Sequence, residues 1–530
     1  MATELLKQLI LHLDEGLLES KRSNLAPLYG NVLKLWYSCT VAPQRIKVKD
    51  VLNIVRVTET ATEILEDMKR RKDTITTRHS YNFILSCYLR VTLAAQDAQK
   101  RGEDNDITLK IATIAAEKSE ELFVEMVASL NENQRPNLTS YKAVLTSWSS
   151  VVSLGDWRAT DRVLELLSTI EEYSYESYLD ARLYSVVFNA LAQAAPLLEF
   201  NPKDSGAPAN KAVSLLRRLV QTLKTEGPCP LDAMSYASII NAFAKSKASE
   251  NFGELAPANL ASACLRQCYE LHKIGYLREG PNDFCYGNAI AAWTRHLDID
   301  QGCVKAEALL DQLEAHIGSE LKVRSRQQRI AIWYNMVLSS FARSSFSPER
   351  GESILRRMEA LAIADHRSYQ AVLAHWGNRK YETMENRSER ALLCLRRMER
   401  PSIACYNTAL AACKATDLKH ADSALAIAEQ LFAEIQLPNA ATYSRMISVY
   451  NSLLEDNPTT RETKVEEIFQ LCCKNGHVSI LTLNLLSNGL SDARLKTLLG
   501  EYYDMVVDRN VDLHKLPEQW WKRKRSKKIS

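Results

Sequence analysis

The side chains best placed to do chemistry are short amides, carboxylates and hydroxyls that recur just ahead of an aromatic residue. Seven segments, PNLTSYK, LDARLYS, LDAMSYA, PNDFCYG, ADHRSYQ, PSIACYN and PNAATYS, each set an Asn, Asp or Ser before a tyrosine. An oxygen at that place accepts from the free N–H groups of a helix's first turn, so the chemistry is hydrogen bonding and its first use is N-capping. Covalent chemistry lacks its constellations: no H-E-x-x-H, G-x-x-x-x-G-K-S/T or G-x-S-x-G occurs, and the ten histidines are scattered. No catalytic residue and no enzyme activity are therefore expected. The twelve cysteines include no C-x-x-C pair, and Cys87, Cys285 and Cys405 fall inside expected helices, so they read as buried reduced thiols. Cys264 and Cys268 lie one helical turn apart, but no histidine or acid completes a ligand set. Neither a metal site nor a cofactor is expected.

The elements that must position these residues repeat. Tyr29, Tyr81, Tyr141, Tyr184, Tyr236, Tyr286, Tyr334, Tyr369, Tyr406 and Tyr443 each head an amphipathic segment, and Leu483 heads another; the spacing runs from 35 to 60 residues. The shortest interval reads as one helix pair, clearest in AIWYNMVLSSFARSSFSPERGESILRRMEALAIAD from Ala331 to Asp365, and the longer ones as a pair plus insertions. A pair this short cannot bury its own apolar face, so the expected fold is all-α, a solenoid or superhelix of antiparallel helix pairs. Units start near 26, 78, 138, 181, 233, 283, 331, 366, 403, 440 and 480, so residues 26–508 hold ten to eleven of them. Second helices are expected from Ala116, Arg158, Ala209, Asn259, Val304, Arg350, Ser388, His420 and Glu462. The charged or Gly/Pro-rich segments QDAQKRGEDNDITLK, APLLEFNPKDSGAPAN and KSKASENFGELAPAN read as loops gathered along one edge. Residues 1–25 read as a partial repeat or capping helix, whose acidic residues Glu4, Asp14, Glu15 and Glu19 fit neither a secretory signal nor a transit peptide. Residues 509–530 form a basic tail, and no stretch is apolar enough for membrane insertion.

In HSYNFILSCYLR from His79 and IACYNTALAACK from Ile403 the sequence resembles the pentatricopeptide repeat family, in a degenerate form with insertions, over about 26–508. The resemblance implies a superhelix that binds single-stranded RNA, with the residue after each tyrosine and the residue closing the unit reading one base. Carried onto this sequence, those pairs are Gly30/Thr77, Asn82/Asn137, Lys142/Asp180, Ser185/Asp232, Ala237/Asn282, Gly287/Ile330, Asn335/Asp365, Gln370/Ser402, Asn407/Asn439 and Ser444/Ser479. Asn82, Asn137, Ser185, Asp232, Asn335, Asp365, Gln370, Ser402, Asn407, Asn439, Ser444 and Ser479 are the expected RNA-binding residues, because amides, carboxylates and hydroxyls can meet a Watson–Crick edge. The analogy implies pyrimidines for the three Asn-led pairs and a purine, guanine, for Ser185/Asp232. It also places His79, Thr139, Arg182, Met234, Phe284, Ile332, Arg367, Ala404 and Ala441, two residues before each tyrosine, against the bases.

Electrostatics restrain this reading. The formal charge is +3, of which the last 20 residues supply +5, so the rest of the chain is near −2. WWKRKRSKKIS reads as a phosphate contact, a nuclear address or a soluble tail, with Trp520 and Trp521 either docked on the last helices or stacked on a nucleotide. The expected function is non-catalytic, sequence-selective binding of single-stranded RNA in organellar RNA stabilisation, processing or translation, in a mitochondrion or chloroplast as the resemblance implies. The alternative is a protein-interaction scaffold in an organellar ribosome or RNA-processing assembly.

Overall fold

Helix caps account for most of the architecture. The computed structural model describes residues 26–40, 47–71, 76–173, 179–200, 203, 207–222, 231–248, 256–318, 324–378, 386–508 and 512–521. The expected partial repeat at 1–25, and 509–511 and 522–530 of the expected tail, lie outside them. The chain divides into two units, the first ending at Leu297 and the second starting at Asp298. Each is an all-α stack of antiparallel helix pairs. No described helix is long and apolar enough to cross a membrane.

In the first unit the helices are α1 (Ala26–Cys39), α2 (Val48–Arg70), α3 (Arg78–Lys100), α4 (Asn105–Ala128), α5 (Leu138–Ser153), α6 (Ala159–Tyr173), α7 (Ala181–Ala194), α8 (Pro208–Thr222), α9 (Ala233–Lys245), α10 (Pro257–Lys273) and α11 (Asp283–Trp293). Odd-numbered helices carry the tyrosines and pack on one another in series; even-numbered helices cover them. Asn137, Asp180, Asp232 and Asn282 cap α5, α7, α9 and α11 with side-chain oxygens. Between neighbours lie Tyr81, Phe123, Tyr141, Phe188, Tyr236 and Phe243, each no more than 5% exposed. Such aromatics supply the apolar area that one pair alone lacks.

Two expectations change here. α4 begins at Asn105, not near Ala116, because Asp104 accepts from the N–H groups of Asp106 and Ile107 at 2.9 and 3.2 Å and starts a helix inside the charged stretch expected to be a loop. The helix α2 has no counterpart among the expected second helices. The other insertions meet: Glu199–Phe200 (β1) pairs in parallel with Lys247–Ala248 (β2), joining the loops that follow α7 and α9.

The second unit holds α12 (Ile299–Ile317), α13 (Arg324–Phe341), α14 (Pro348–Ala360), α15 (His366–Trp376), α16 (Arg387–Arg396), α17 (Ile403–Lys414), α18 (Ala421–Glu434), α19 (Ala440–Leu453), α20 (Pro458–Lys474), α21 (Ile480–Gly489), α22 (Asp492–Leu499), α23 (Tyr503–Val507) and α24 (Glu518–Trp521). Asp365, Ser402, Asn439 and Ser479 cap its tyrosine- or leucine-headed helices, and Pro348 and Pro458 sit in the first turns of α14 and α20, where no N–H is needed. α13 starts at Arg324 rather than near 331, so Ile330 lies inside a helix at 1% exposure and closes no unit. Trp520 docks on the last helices: its C=O accepts from Val478 N–H at 2.8 Å and its ring meets Phe469 and Tyr502 edge-on at 5.7 and 5.8 Å. That contact caps the end of the stack, the docked one of the two expected roles.

Ion pairs tie successive even helices together. Glu171 on α6 meets Arg218 on α8 at 2.7 Å. Arg350 and Arg357 on α14 reach back to Glu307, Asp311 and Glu314 on α12 at 2.6, 2.7 and 2.7 Å, while Glu352 and Glu359 on the same helix meet Arg397 just past α16. Where such a pair is open to solvent, as at Arg218 (51% exposed), it contributes about 0–1 kcal/mol, whereas Glu352 is enclosed in the stack at 9%.

Candidate nucleic-acid interface

The odd helices run parallel within each unit. In the first, the starts of α3 and α5 meet through Asn82 and Asn137, and their ends through Gln96 and Ser153 at 2.7 Å. In the second, Asn335, well inside α13, meets Asp365 at the start of α15, and Asn378 donates to Ala342 C=O at 3.2 Å past their ends. At these joints the residue after one tyrosine therefore faces the cap of the next odd helix.

A three-residue clamp forms at these joints. Asn82 Nδ2 donates to Asn137 Oδ1 at 3.2 Å, and Ser140 Oγ donates to Asn82 Oδ1 at 2.6 Å. Asn137 Oδ1 also accepts from the N–H groups of Thr139 and Ser140 at 3.2 and 3.3 Å, which fixes that oxygen inward. Asn335, Asp365 and Ser368 repeat the arrangement at 3.2 Å for Asn335 Nδ2 to Asp365 Oδ1 and 2.7 Å for Ser368 Oγ to Asn335 Oδ1. Ser185 Oγ lies 3.3 Å from Asp232 Oδ1 and 3.0 Å from Ser235 Oγ. Asn407 Nδ2 reaches Asn439 Oδ1 at 3.4 Å, while Asn407 Oδ1 is buried without a hydrogen bond. Ser444 and Ser479 meet only through Thr482, at 3.0 and 2.8 Å. Ser444 is 3% exposed and also donates to Ala440 C=O at 2.9 Å, so its hydroxyl is spent inside the stack.

The remaining pairs are not joined. No hydrogen bond links Gln370 to Ser402; the Ser402 hydroxyl faces Cys405 Sγ at 3.3 Å, where the joints at Asn137, Asp232, Asp365, Asn439 and Ser479 have Ser or Thr. Lys142 is exposed, and Asp180 caps α7 and lies 3.8 Å from Arg182. Asn282 donates to Met234 Sδ at 3.3 Å rather than to Ala237. Gly30/Thr77 and Gly287/Ile330 make no side-chain pair.

Counting donors and acceptors shows what each clamp leaves outward. Asn137 Oδ1 is fully engaged, Asn82 keeps one N–H and Asn137 two, and Asn82 Oδ1, accepting only from Ser140, keeps one lone pair, so donors predominate at this joint. Asn335 keeps one N–H and Asp365 keeps Oδ2, a donor beside an acceptor. Ser185/Asp232 keeps a carboxylate oxygen, an acceptor. Burial works against ionisation of Asp365, but the N–H and hydroxyl of Ser368, the Asn335 amide and the Arg367 N–H outweigh it and hold its carboxyl below the usual range.

Beside the clamps runs an exposed row. His79, Thr139, Arg182, Met234 and Phe284 in the first unit, and Ile332, Arg367, Ala404 and Ala441 in the second, are all exposed, Ile332 at 57%. The tyrosines two positions later point inward. Tyr81, Tyr184 and Tyr369 donate to Glu125, Glu171 and Glu359 at 2.7, 3.0 and 2.7 Å, and those carboxylates pair in turn with Lys69, Arg218 and Arg397. Burial first, and the adjacent carboxylates second, push all three phenols up, so they stay protonated donors.

The third clamp member was not anticipated from sequence. Ser140, Ser235, Ser368, Thr442 and Thr482 stand immediately before the anchoring Tyr or Leu, and all five are fully buried at 0% exposure. A small hydroxyl recurring at one register of an otherwise apolar helix was the available signal.

No family model matches the chain, and no curated protein matches it. Among solved structures, the pentatricopeptide repeat protein PPR10 from maize is 14% identical over 96% of this chain and 85% of that chain, with a TM-score of 0.29. Superposition at that level identifies neither family nor ligand.

Proposed function

We propose that the chain binds single-stranded RNA selectively and without covalent chemistry, in organellar RNA stabilisation, processing or translation. The observation that carries this reading is the recurring clamp, which leaves a defined set of donors or acceptors next to an exposed row of stacking-competent side chains. Asn82/Asn137, where donors predominate, suits the adjacent O2 and N3 acceptors of cytosine. Asn335/Asp365, a donor beside an acceptor, suits uracil's O and N3–H. The Asp232 carboxylate suits the N1–H and N2–H donors of guanine. Arg182 and Arg367 in the row, together with the positive ends of the odd helices, favour phosphates.

Selection from a randomised RNA pool at low salt tests this reading. Enrichment of a pyrimidine-containing motif is expected, and the Asn335→Ala/Asn407→Ala double variant should lose affinity for that motif more than for the mixed pool. Equal retention of unrelated RNAs would overturn it. The second reading, a scaffold in an organellar ribosome or RNA-processing assembly, draws on the net charge of +3 and on the even-helix ion pairs, which engage Arg218, Arg350 and Arg357 with acids of the same stack. Persistence of a defined protein complex after RNA removal, with no RNA selectivity, would favour it.

A further inference from the structure

α4 is apolar on two faces, and only one of them is used. Ala112, Phe123 and Met126 are buried at 0% in the stack, while Ile107 and Ile114 stand 46% and 54% exposed on the other side. A helix with a second apolar face in contact with water calls for a further partner. Across from it α2 presents Leu52, 43% exposed, and between the two helices lies a cleft of about 660 Å³ floored by Tyr88 and Val91 of α3. The floor is settled, since Tyr88 Oη lies 3.1 Å from Thr62 Oγ1 and leaves no orphan polar group there.

The rim is charged asymmetrically. Glu59 and Glu63 on α2 are four residues apart, so they lie one above the other along the cleft; both are exposed, and neither has an ion-pair partner among the described residues. Glu66, one turn further on, already holds Lys69 at 2.8 Å. On the α4 rim Lys118 lies 3.7 Å from Glu121. An apolar trough running along two helices, with unpaired carboxylates on one edge, matches the helix-in-groove mode of recognition. Because the surface is concave, a second copy of the same trough cannot fill it.

We propose that this cleft docks one amphipathic helix of a partner protein, its apolar face on Leu52, Ile111 and Ile114 and its Lys/Arg edge over Glu59 and Glu63. The inference stands apart from RNA recognition, which uses the odd helices. The probes are two fluorescein-labelled helical peptides with one Leu-lined face, flanked by Lys in the first and by Glu in the second, read by fluorescence anisotropy against the full chain at moderate salt. The Lys peptide is expected to bind about tenfold or more tighter than the Glu peptide, a difference of about 1.4 kcal/mol. Ile114→Asp should weaken the Lys peptide by about tenfold while leaving circular dichroism and the unfolding midpoint unchanged, since the side chain is on the surface. Glu59→Lys/Glu63→Lys should reverse the preference between the peptides. Equal binding of both peptides, or no effect of Ile114→Asp, overturns the proposal. So does a wild-type dimer in light scattering that Ile114→Asp splits, which would make the occupant a second copy. Binding that appears only after removal of residues 1–25 would make it the chain's own segment and overturns the proposal equally.

Discussion

The joint at Asn82–Asn137–Ser140 and the joint at Asn335–Asp365–Ser368 are built alike on different lengths of chain. The paired residues are 55 positions apart in the first and 30 in the second, yet both keep 3.2 Å between the pair and close on a serine hydroxyl at 2.6 and 2.7 Å. The extra chain in the first unit goes into α3 and α4 and into the linkers, without altering the contact of the odd helices. Clamp geometry is therefore fixed by odd-on-odd packing and by the cap's bonds to its own backbone. What differs is the outward chemistry: mostly amide donors in one joint, an amide donor beside a free carboxylate oxygen in the other.

The largest effects on this comparison should come from the packing beneath it. Phe123→Ala in the first unit and Phe341→Ala in the second, both at 0% exposure, should each cost about 3–5 kcal/mol in denaturant unfolding, showing that the two stacks depend on their cores alike. Gly489→Ala should cost about 1–3 kcal/mol, because a Cβ there would lie 2.2 Å from Asn451 Oδ1, whose amide is held by Leu485 C=O at 2.9 Å. Exchanging the outward chemistry sharpens the comparison: Asp365→Asn replaces the free carboxylate oxygen of the second joint by the amide donors of the first and should move the proposed preference from uracil to cytosine, and Asn137→Asp should do the reverse, each by about 1–3 kcal/mol in competition binding. Acid should act on one joint and not the other. The Asp365 carboxyl titrates below its unfolded value of about 3.9, so its stabilisation is complete above that pH and lost as pH falls through the lower folded value. Acid unfolding of Asp365→Asn should be flatter in that window, whereas Asn82→Ala should leave the acid limb unchanged. Smallest of all, Arg218→Ala should cost no more than about 1 kcal/mol, as its guanidinium is 51% exposed.

Much of this was legible in the sequence, and the reasons are local. Asn137, Asp180, Asp232, Asn282, Asp365, Ser402, Asn439 and Ser479 mark helix starts because capping is decided within one turn. The same rule was available at Asp104, but the charge and glycine around it outweighed the cap signal. The start of α13 at Arg324 has no cap of that kind to announce it. Which pairs close into clamps was not legible from the pairs themselves. Asn407/Asn439 and Gln370/Ser402 carry suitable groups, yet the first is stretched although Thr442 donates to Asn439 Oδ1 at 3.1 Å, and the second is open where Cys405 stands in place of a hydroxyl. The even-helix ion pairs depend on registers set by helices some forty residues apart, which periodicity does not reveal.

The ion pairs of α14 also have a direction. Two of its three arginines, Arg350 and Arg357, face backward to acids on α12, while Arg356 pairs with Glu352 within the helix, and Glu352 and Glu359 face forward to Arg397. A repeat with one sign on each flank is a link whose two ends fit any other link of the same kind. Excising such a unit would bring the carboxylates of α12 opposite Arg397 with no like charges at the seam, and duplicating it would join complementary flanks in the same way. Gain and loss of whole repeats thus becomes an accessible route of change, with the number of odd-helix joints free to drift while the charge order along the even helices is preserved.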